Sequence, residues 1–233
     1  MKILIAVNDS AHSEGAVQHL TSMRWPPGSR VIVATGVQPG CAVVAARAQA
    51  RLRAVGMSTE HRMVEGDSRT VLLELIETER VDLLVVDARR RDGAVPCPLG
   101  SASRRVVAQA QCSVLVVKQR AMAERGQDHS RAKAAMKILI GVDESAHSKA
   151  AVHLVRRMEW PKGTRVGVVS AARSVPQGDA WNALTQAARN ERADLIVVGT
   201  PARTGLEMAS IGSLAQHVVT HSPCSVLIVK IQE

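Results

Sequence analysis

The chain has 233 residues, 46% of them apolar, with three Trp, no Phe and no Tyr, and a formal net charge of +9. That length suits one or two domains. The charge is spread over 1–119 (15 basic, 11 acidic), 120–135 (4 and 2) and 136–233 (11 and 8), so there is no basic tail. Arg89, Arg90 and Arg91 form the one compact basic run and have no stacking aromatics around them, which argues against specific nucleic-acid binding. No apolar run reaches 18 residues and no leader precedes the first strand, so the expectation is a cytoplasmic protein with no membrane partner.

KILIAV (2–7) is a short apolar run, the form of a strand buried on both faces. Ser10 and Ser13 offer helix N-caps, and an amphipathic stretch then runs to Met23 before WPPG ends it. VIVATGV (31–37) predicts a second strand, and residues 42–55 a helix closed by Gly56. MSTEHRMVEG (57–66) reads as a weaker, alternating third strand. Residues 68–80 place Val71, Leu72, Leu75 and Ile76 on one helix face. DLLVVD (82–87) is a fourth strand; after a loop, a helix opens at Gly100-Ser101, and SVLVVK (113–118) is a fifth strand. Strands separated by helices imply an α/β fold with a doubly wound parallel sheet.

The pattern then repeats. MKILIAVNDSAHS at the start recurs as MKILIGVDESAHS at 136–148, an offset of 135. Met23, Trp25, Pro26, Gly28 and Arg30 recur as Met158, Trp160, Pro161, Gly163 and Arg165, and CSVLVVK (112–118) recurs as CSVLIVK (224–230). One domain type has been copied in tandem, giving expected domains at 1–119 and 136–233. Between them RAMAERGQDHSRAKAA (120–135) has no apolar periodicity and is expected to be a linker.

The second copy is shorter. Asp194 pairs with Asp82 at an offset of 112, so 23 residues are missing between its second strand VGVVSAA (166–172) and Gly178-Asp179. The missing span corresponds to the second helix and third strand of the first copy. A sheet survives loss of an edge strand but not of a central one, so the third strand is expected at an edge.

Cys41, Cys97, Cys112 and Cys224 show neither CxxC nor zinc spacing and fit a reducing compartment. Cys112 and Cys224 occupy equivalent positions before a strand and read as small core residues. His217 and His221, four apart on the last helix, have no third ligand in sequence, so no metal site is expected. His12 and His147 recur in SAHS and read as shaping the helix start. There is no GxSxG elbow, GxxxxGK[ST] loop or SGGxDS loop, so no catalytic residues are assigned.

The chemistry-bearing pattern lies in the second copy. Its first strand ends at Asp143, at the carboxyl edge where open α/β sheets bind ligands. Its fourth strand ends LIVVGT (195–200), with Gly199 near the end, and 13 residues after Gly199 the pair Gly212-Ser213 opens a helix. A glycine at a helix N-terminus exposes N–H donors to an anion, and the Ser213 hydroxyl can cap the helix or donate to a phosphate oxygen. A plain N-cap explains that pair equally well.

Taken together, these motifs resemble the universal stress protein family, and the resemblance covers both copies. The family pattern is V-D-x-S after the first strand and G-x2-G-x9-G-[S/T] after the fourth. Val142-Asp143-Glu144-Ser145 match the first part, Gly199, Arg203, Thr204, Gly205, Leu206, Gly212 and Ser213 match the loop, and HSPCSVLIV matches the ending. Ala202 stands where the second motif glycine is expected. The resemblance implies an adenine nucleotide alpha hydrolase-like fold with strand order 3-2-1-4-5, and ATP binding in one branch of the family, with or without Mg2+ and with at most slow hydrolysis. Members of the other branch bind no nucleotide and would act as signalling or scaffold modules.

Carried over by position, Val142 and Asp143 would face adenine and ribose, and Ala172 would replace a valine that covers the base. Gly199, Ala202, Gly212, Ser213 and Leu214 would line the phosphates, beside Arg203. In the first copy Asn8 replaces the aspartate, while Asp87 and Arg90 replace the first two loop glycines; only Gly100-Ser101 remains. A carboxylate at Asp87 repels polyphosphate, so that copy is expected to be silent. Family dimers form through the last strand, which implies an intramolecular pseudo-dimer of the two copies and leaves a homodimer open.

Overall fold

The computed structural model describes residues 1–8, 11–88, 101–118, 135–170, 177–201 and 213–231. The first half runs β1 (Lys2–Ala6), α1 (Ala11–Ser22), β2 (Arg30–Thr35), α2 (Cys41–Ala54), β3 (Ser58–Met63), α3 (Ser68–Thr78), β4 (Leu83–Asp87), α4 (Ser101–Gln109) and β5 (Ser113–Val117). The second runs β6 (Lys137–Val142), α5 (Ala146–Arg157), β7 (Arg165–Ser170), α6 (Gln177–Asn190), β8 (Leu195–Pro201), α7 (Ser213–His221) and β9 (Ser225–Ile231). All but Ala135 of the expected linker lies outside the described residues.

The strands form one sheet in the order β3-β2-β1-β4-β5-β9-β8-β6-β7. β3 is at an edge, as the length difference between the copies requires. Pairing is parallel within each half and antiparallel between β5 and β9, where Val114, Leu115 and Val116 face Ile228, Leu227 and Val226. Alternate residues of each strand feed opposite faces. Ile3, Ile5, Val31, Val33, Ile138, Ile140, Leu195 and Val197 pack under α1, α2 and α5, while Leu4, Ile32, Leu84, Leu139, Ile196 and Val198 pack under α3, α4, α6 and α7. Each fully buried Val, Leu or Ile contributes about 1.5–3 kcal/mol relative to exposure.

Local turns are copied with the residues that make them. The Trp25 indole N–H donates to Leu20 O at 2.9 Å, and Trp160 donates to Val155 O at 2.8 Å, closing the turn after the first helix of each half. Gly28 and Gly163, at φ +76° and +85°, let the chain turn back into the second strand.

The two halves are held by reciprocal bonds. Lys118 N–H donates to Ser225 Oγ, and Lys230 N–H to Ser113 Oγ, both at 3.2 Å. The Lys118 ammonium donates to Ser222 O at 2.8 Å, just past α7, and the Lys230 ammonium to Val107 O at 3.2 Å and to Ala110 O, at the end of α4. Each lysine thus meets the carbonyl-rich, partially negative end of the other half's last helix. Burial lowers the Lys230 pKa to about 8, a nearby Cys112 thiolate opposing the shift. Burial likewise raises the Cys112 thiol to about 11, against the weaker opposing pull of the Lys230 charge. Cys112 and Cys224 are buried core residues, and Cys41 is buried in α2; Cys97 lies outside the described residues.

Candidate functional site

β6 sits between β7 and β8. The chain leaves β6 for β7 on one side and returns to β8 on the other, with α5 and α6 on opposite faces of the sheet. The crevice between the carboxyl ends of β6 and β8 is therefore a topological switch point. Gly141 and Val198 pair there, and α5 and α7 both begin at that edge, their N–H-rich ends turned toward it.

Asp143 follows β6 directly and is exposed. Its Oδ1 accepts from the Ser145 N–H at 3.0 Å and from the Ser145 hydroxyl at 2.5 Å. Ser145 is the N-cap of α5, its oxygen accepting from the Ser148 N–H at 3.2 Å. The Ser148 hydroxyl donates to Asp143 O at 2.5 Å and to Ser145 O at 3.1 Å. The D-x-S spacing thus makes an Asx turn that runs into a capped helix. Partial burial pushes the Asp143 carboxyl up, but the Ser145 and Ser148 hydrogen bonds outweigh it and hold the group below the usual carboxylate range. The result is a fixed anion that accepts hydrogen bonds at the mouth of the crevice. Val142, partly buried, packs on the core beneath α5.

Gly199 has a reason to be glycine that its sequence motif does not reveal. A Cβ there would lie 2.1 Å from His147 O, 2.3 Å from His147 C and 2.7 Å from Ser148 N. The first turn of α5 rests on the bare backbone of β8, so helix packing alone excludes a side chain. Ser213 and Leu214 form the first turn of α7. Ala172, Ala202, Arg203 and Gly212 lie outside the described residues. The site residues brought together are therefore Val142, Asp143, Gly199 and the start of α7.

The first half is built differently at the same place. Asn8 N–H donates to Ser13 Oγ at 2.9 Å, and the Ser13 hydroxyl returns a bond to Asn8 Oδ1 at 2.8 Å. Ser13 is therefore a residue of α1 that ties down Asn8 and not the helix cap that its position suggested; Ser10 lies outside the described residues. Asp87 occupies the position of Gly199, with both carboxylate oxygens buried. Ser101 opens α4; Arg89, Arg90, Arg91 and Gly100 lie outside the described residues.

His217 and His221 stack with ring centroids 4.0 Å apart, and His221 Nδ1 lies 3.0 Å from His217 O. Burial, reinforced by the charge of His221, lowers the His217 pKa. Among the described residues there is no group of three or more His, Cys, Asp or Glu placed to hold a metal ion. Nor, among them, is any helix long and apolar enough to cross a membrane.

Comparison with known proteins adds the lineage. Over 54 residues the chain is 43% identical to Universal stress protein MJ0531 of Methanocaldococcus jannaschii, a match covering 23% of this chain and 32% of that protein. It is 38% identical over 84 residues to the Thermus aquaticus universal stress protein encoded in the QAH/OAS sulfhydrylase 3′ region, covering 33% of this chain and 61% of the relative. The chain thus spans less than two thirds of either relative. Among solved structures, a universal stress protein from Archaeoglobus fulgidus superposes with a TM-score of 0.70 at 15% identity, covering 98% of both chains, a likeness of fold. The family model described as "Universal stress protein family" matches residues 40–118 and 162–230, one segment in each half and together more than half of the chain. The chain belongs to the universal stress protein family.

Proposed function

We propose that the second half of the chain binds one adenine nucleotide, ATP, and that the protein acts as a stress-response regulator with at most slow hydrolysis. The observation that carries this reading is the meeting of Asp143, Gly199 and the start of α7 at one sheet edge, beside a switch point. Val142 and Asp143 would take the adenine and ribose, with Ala172 over the base. The start of α7, through Gly212, Ser213 and Leu214, would take the phosphates together with Ala202 and Arg203. Mg2+, when bound, would neutralise phosphate charge. In the first half, the buried Asp87 carboxylate occupies the equivalent place and repels a polyphosphate. We assign the two units to 1–119 and 136–233, joined by 120–135 and paired through β5 and β9 as an intramolecular pseudo-dimer working in the cytoplasm.

A second reading, a signalling or scaffold module that binds no nucleotide, is favoured by one observation. The His147 carbonyl presses on Gly199, which narrows the crevice from the α5 side. Nucleotide content separates the two. Protein purified without added nucleotide is denatured, and its supernatant read by ultraviolet absorbance and mass spectrometry. The binding reading expects adenine nucleotide at up to one per chain, lost in Asp143→Ala. Empty protein that also shows no heat of binding at millimolar ATP would leave the scaffold reading standing.

A further inference from the structure

The two halves keep the same valines but not the same cover. Val31 and Val33 of β2 are fully buried, whereas their counterparts Val166 and Val168 of β7 are 49% and 62% exposed. In register they adjoin Ile3 and Ile5 in the first half and Ile138 and Ile140 in the second. Val17 of α1 is buried, while Val152 of α5 is partly exposed. The first half covers this face with α2, which buries Cys41, Ala45, Ala48 and Leu52 at a 4-3-4 spacing, and flanks β2 with β3. Among the described residues of the second half, no helix stands between α5 and α6 in sequence, and β7 has a neighbour only in β6.

Charge around this face has also changed. The first half has Glu14, Thr21 and Pro27; the equivalent residues of the second half are Lys149, Arg156 and Lys162, all exposed. Lys149 and Arg156 stand three before and four after Val152, beside it on the surface of α5. The acidic groups of the segment lie at the ends of α5. Glu159 is ion-paired with Arg24 of the first half, and Asp143 and Glu144 precede the helix at the nucleotide edge. A helix like α2 from a second copy would fit the apolar floor poorly on charge, because its charged positions are Arg47, Arg51 and Arg53 and it carries no acid.

We propose that this face is a docking surface for an acidic amphipathic helix of a partner protein. Small apolar residues at the 4-3-4 spacing would seat on Val152, Val166 and Val168, and flanking carboxylates would face Lys149, Arg156 and Lys162. The apolar contact gives affinity, and the cations select against basic helices. The site is separate from the nucleotide edge.

The test uses the full chain and a fluorescein-labelled helical peptide of about four turns, with an Ala/Leu stripe at that spacing and Glu on both flanks. Fluorescence anisotropy should show saturable binding that weakens at least tenfold when the flanking Glu are changed to Lys, and that weakens at high salt. Val168→Ser should weaken it about tenfold, and the double variant Lys149→Glu, Arg156→Glu should reverse the preference between the acidic and basic peptides. All three positions are exposed, so thermal melts should match the parent. No saturable binding, equal binding of both peptides, or binding indifferent to Val168→Ser would overturn the proposal. Sedimentation showing a dimer that Val168→Ser dissolves would replace it with self-association through this face.

Discussion

Gly199→Ala isolates the packing role of this residue from any role at a ligand. The added methyl would sit 2.1 Å from His147 O and 2.3 Å from His147 C, and both are backbone atoms. Ordinary contact needs roughly 3.5 Å, so the first turn of α5 must retreat by more than about 1 Å. Overpacking of this kind costs about 1–3 kcal/mol. The retreat also pulls Ser148 away from Asp143 O and disturbs the Ser145 cap, bonds of 2.5 and 3.2 Å, adding about 1 kcal/mol. The sum, about 2–4 kcal/mol, corresponds to a melting temperature lower by roughly 5–15 °C in a chain of this size. Differential scanning calorimetry on nucleotide-free protein is the assay. A melt within about 1 °C of the parent, with the Asp143 turn intact by NMR, would refute the packing argument and leave Gly199 to the ligand alone.

Ser145→Ala removes the cap of α5 and should lower stability by about 1 kcal/mol in urea denaturation with the slope unchanged. Lys230 titrates near pH 8 in the folded chain, below its unfolded value, so the unfolded state binds more protons above pH 8 and stability should rise with pH. The rise from pH 8 to 9 should be on the order of 1 kcal/mol, absent in Lys230→Met. Above pH 9 the Cys112 thiol, held protonated up to about 11, works the other way; in Cys112→Ala the rise should therefore continue further. Denaturation midpoints in a pH series check all three.

Much of the fold could be read from the sequence because the chain carries its own comparison. Two copies of KILI and of CSVL mark the first and last strands of each half, and the 112-against-135 offset singles out a segment corresponding to α2 and β3, and β3 is found at an edge. Asp143 was legible because V-D-x-S combines an Asx turn with a cap, which are local interactions. Gly199 was only half legible. Its motif marks it, but the pressure of α5 on β8 joins residues distant in sequence, and no periodicity announces it. Ser13 was less legible because two serines three apart both suit one helix start; α1 begins at Ala11, so Ser13 lies inside it and its hydroxyl bonds Asn8. Lys118 and Lys230 stood in plain view at the ends of the repeated strands. Their reach across to the opposite helix end depends on the antiparallel β5–β9 pairing, which a sequence does not state. Val166 and Val168 read as ordinary strand residues in sequence; their exposure goes with the lack, among the described residues, of a second-half helix corresponding to α2.

The most direct test is isothermal titration of ATP into the full chain beside Gly212→Val and Gly100→Val, with a melt of each. On the proposed reading, Gly212→Val puts a side chain immediately before α7 in sequence, where it would block an anion, while the equivalent change in the first half would leave binding unchanged because Asp87 takes the place of Gly199 there. One site per chain is expected, abolished by Gly212→Val and unchanged by Gly100→Val, with all three proteins folded. Two equal sites, or equal losses from both substitutions, would show that the nucleotide had been assigned to the wrong half.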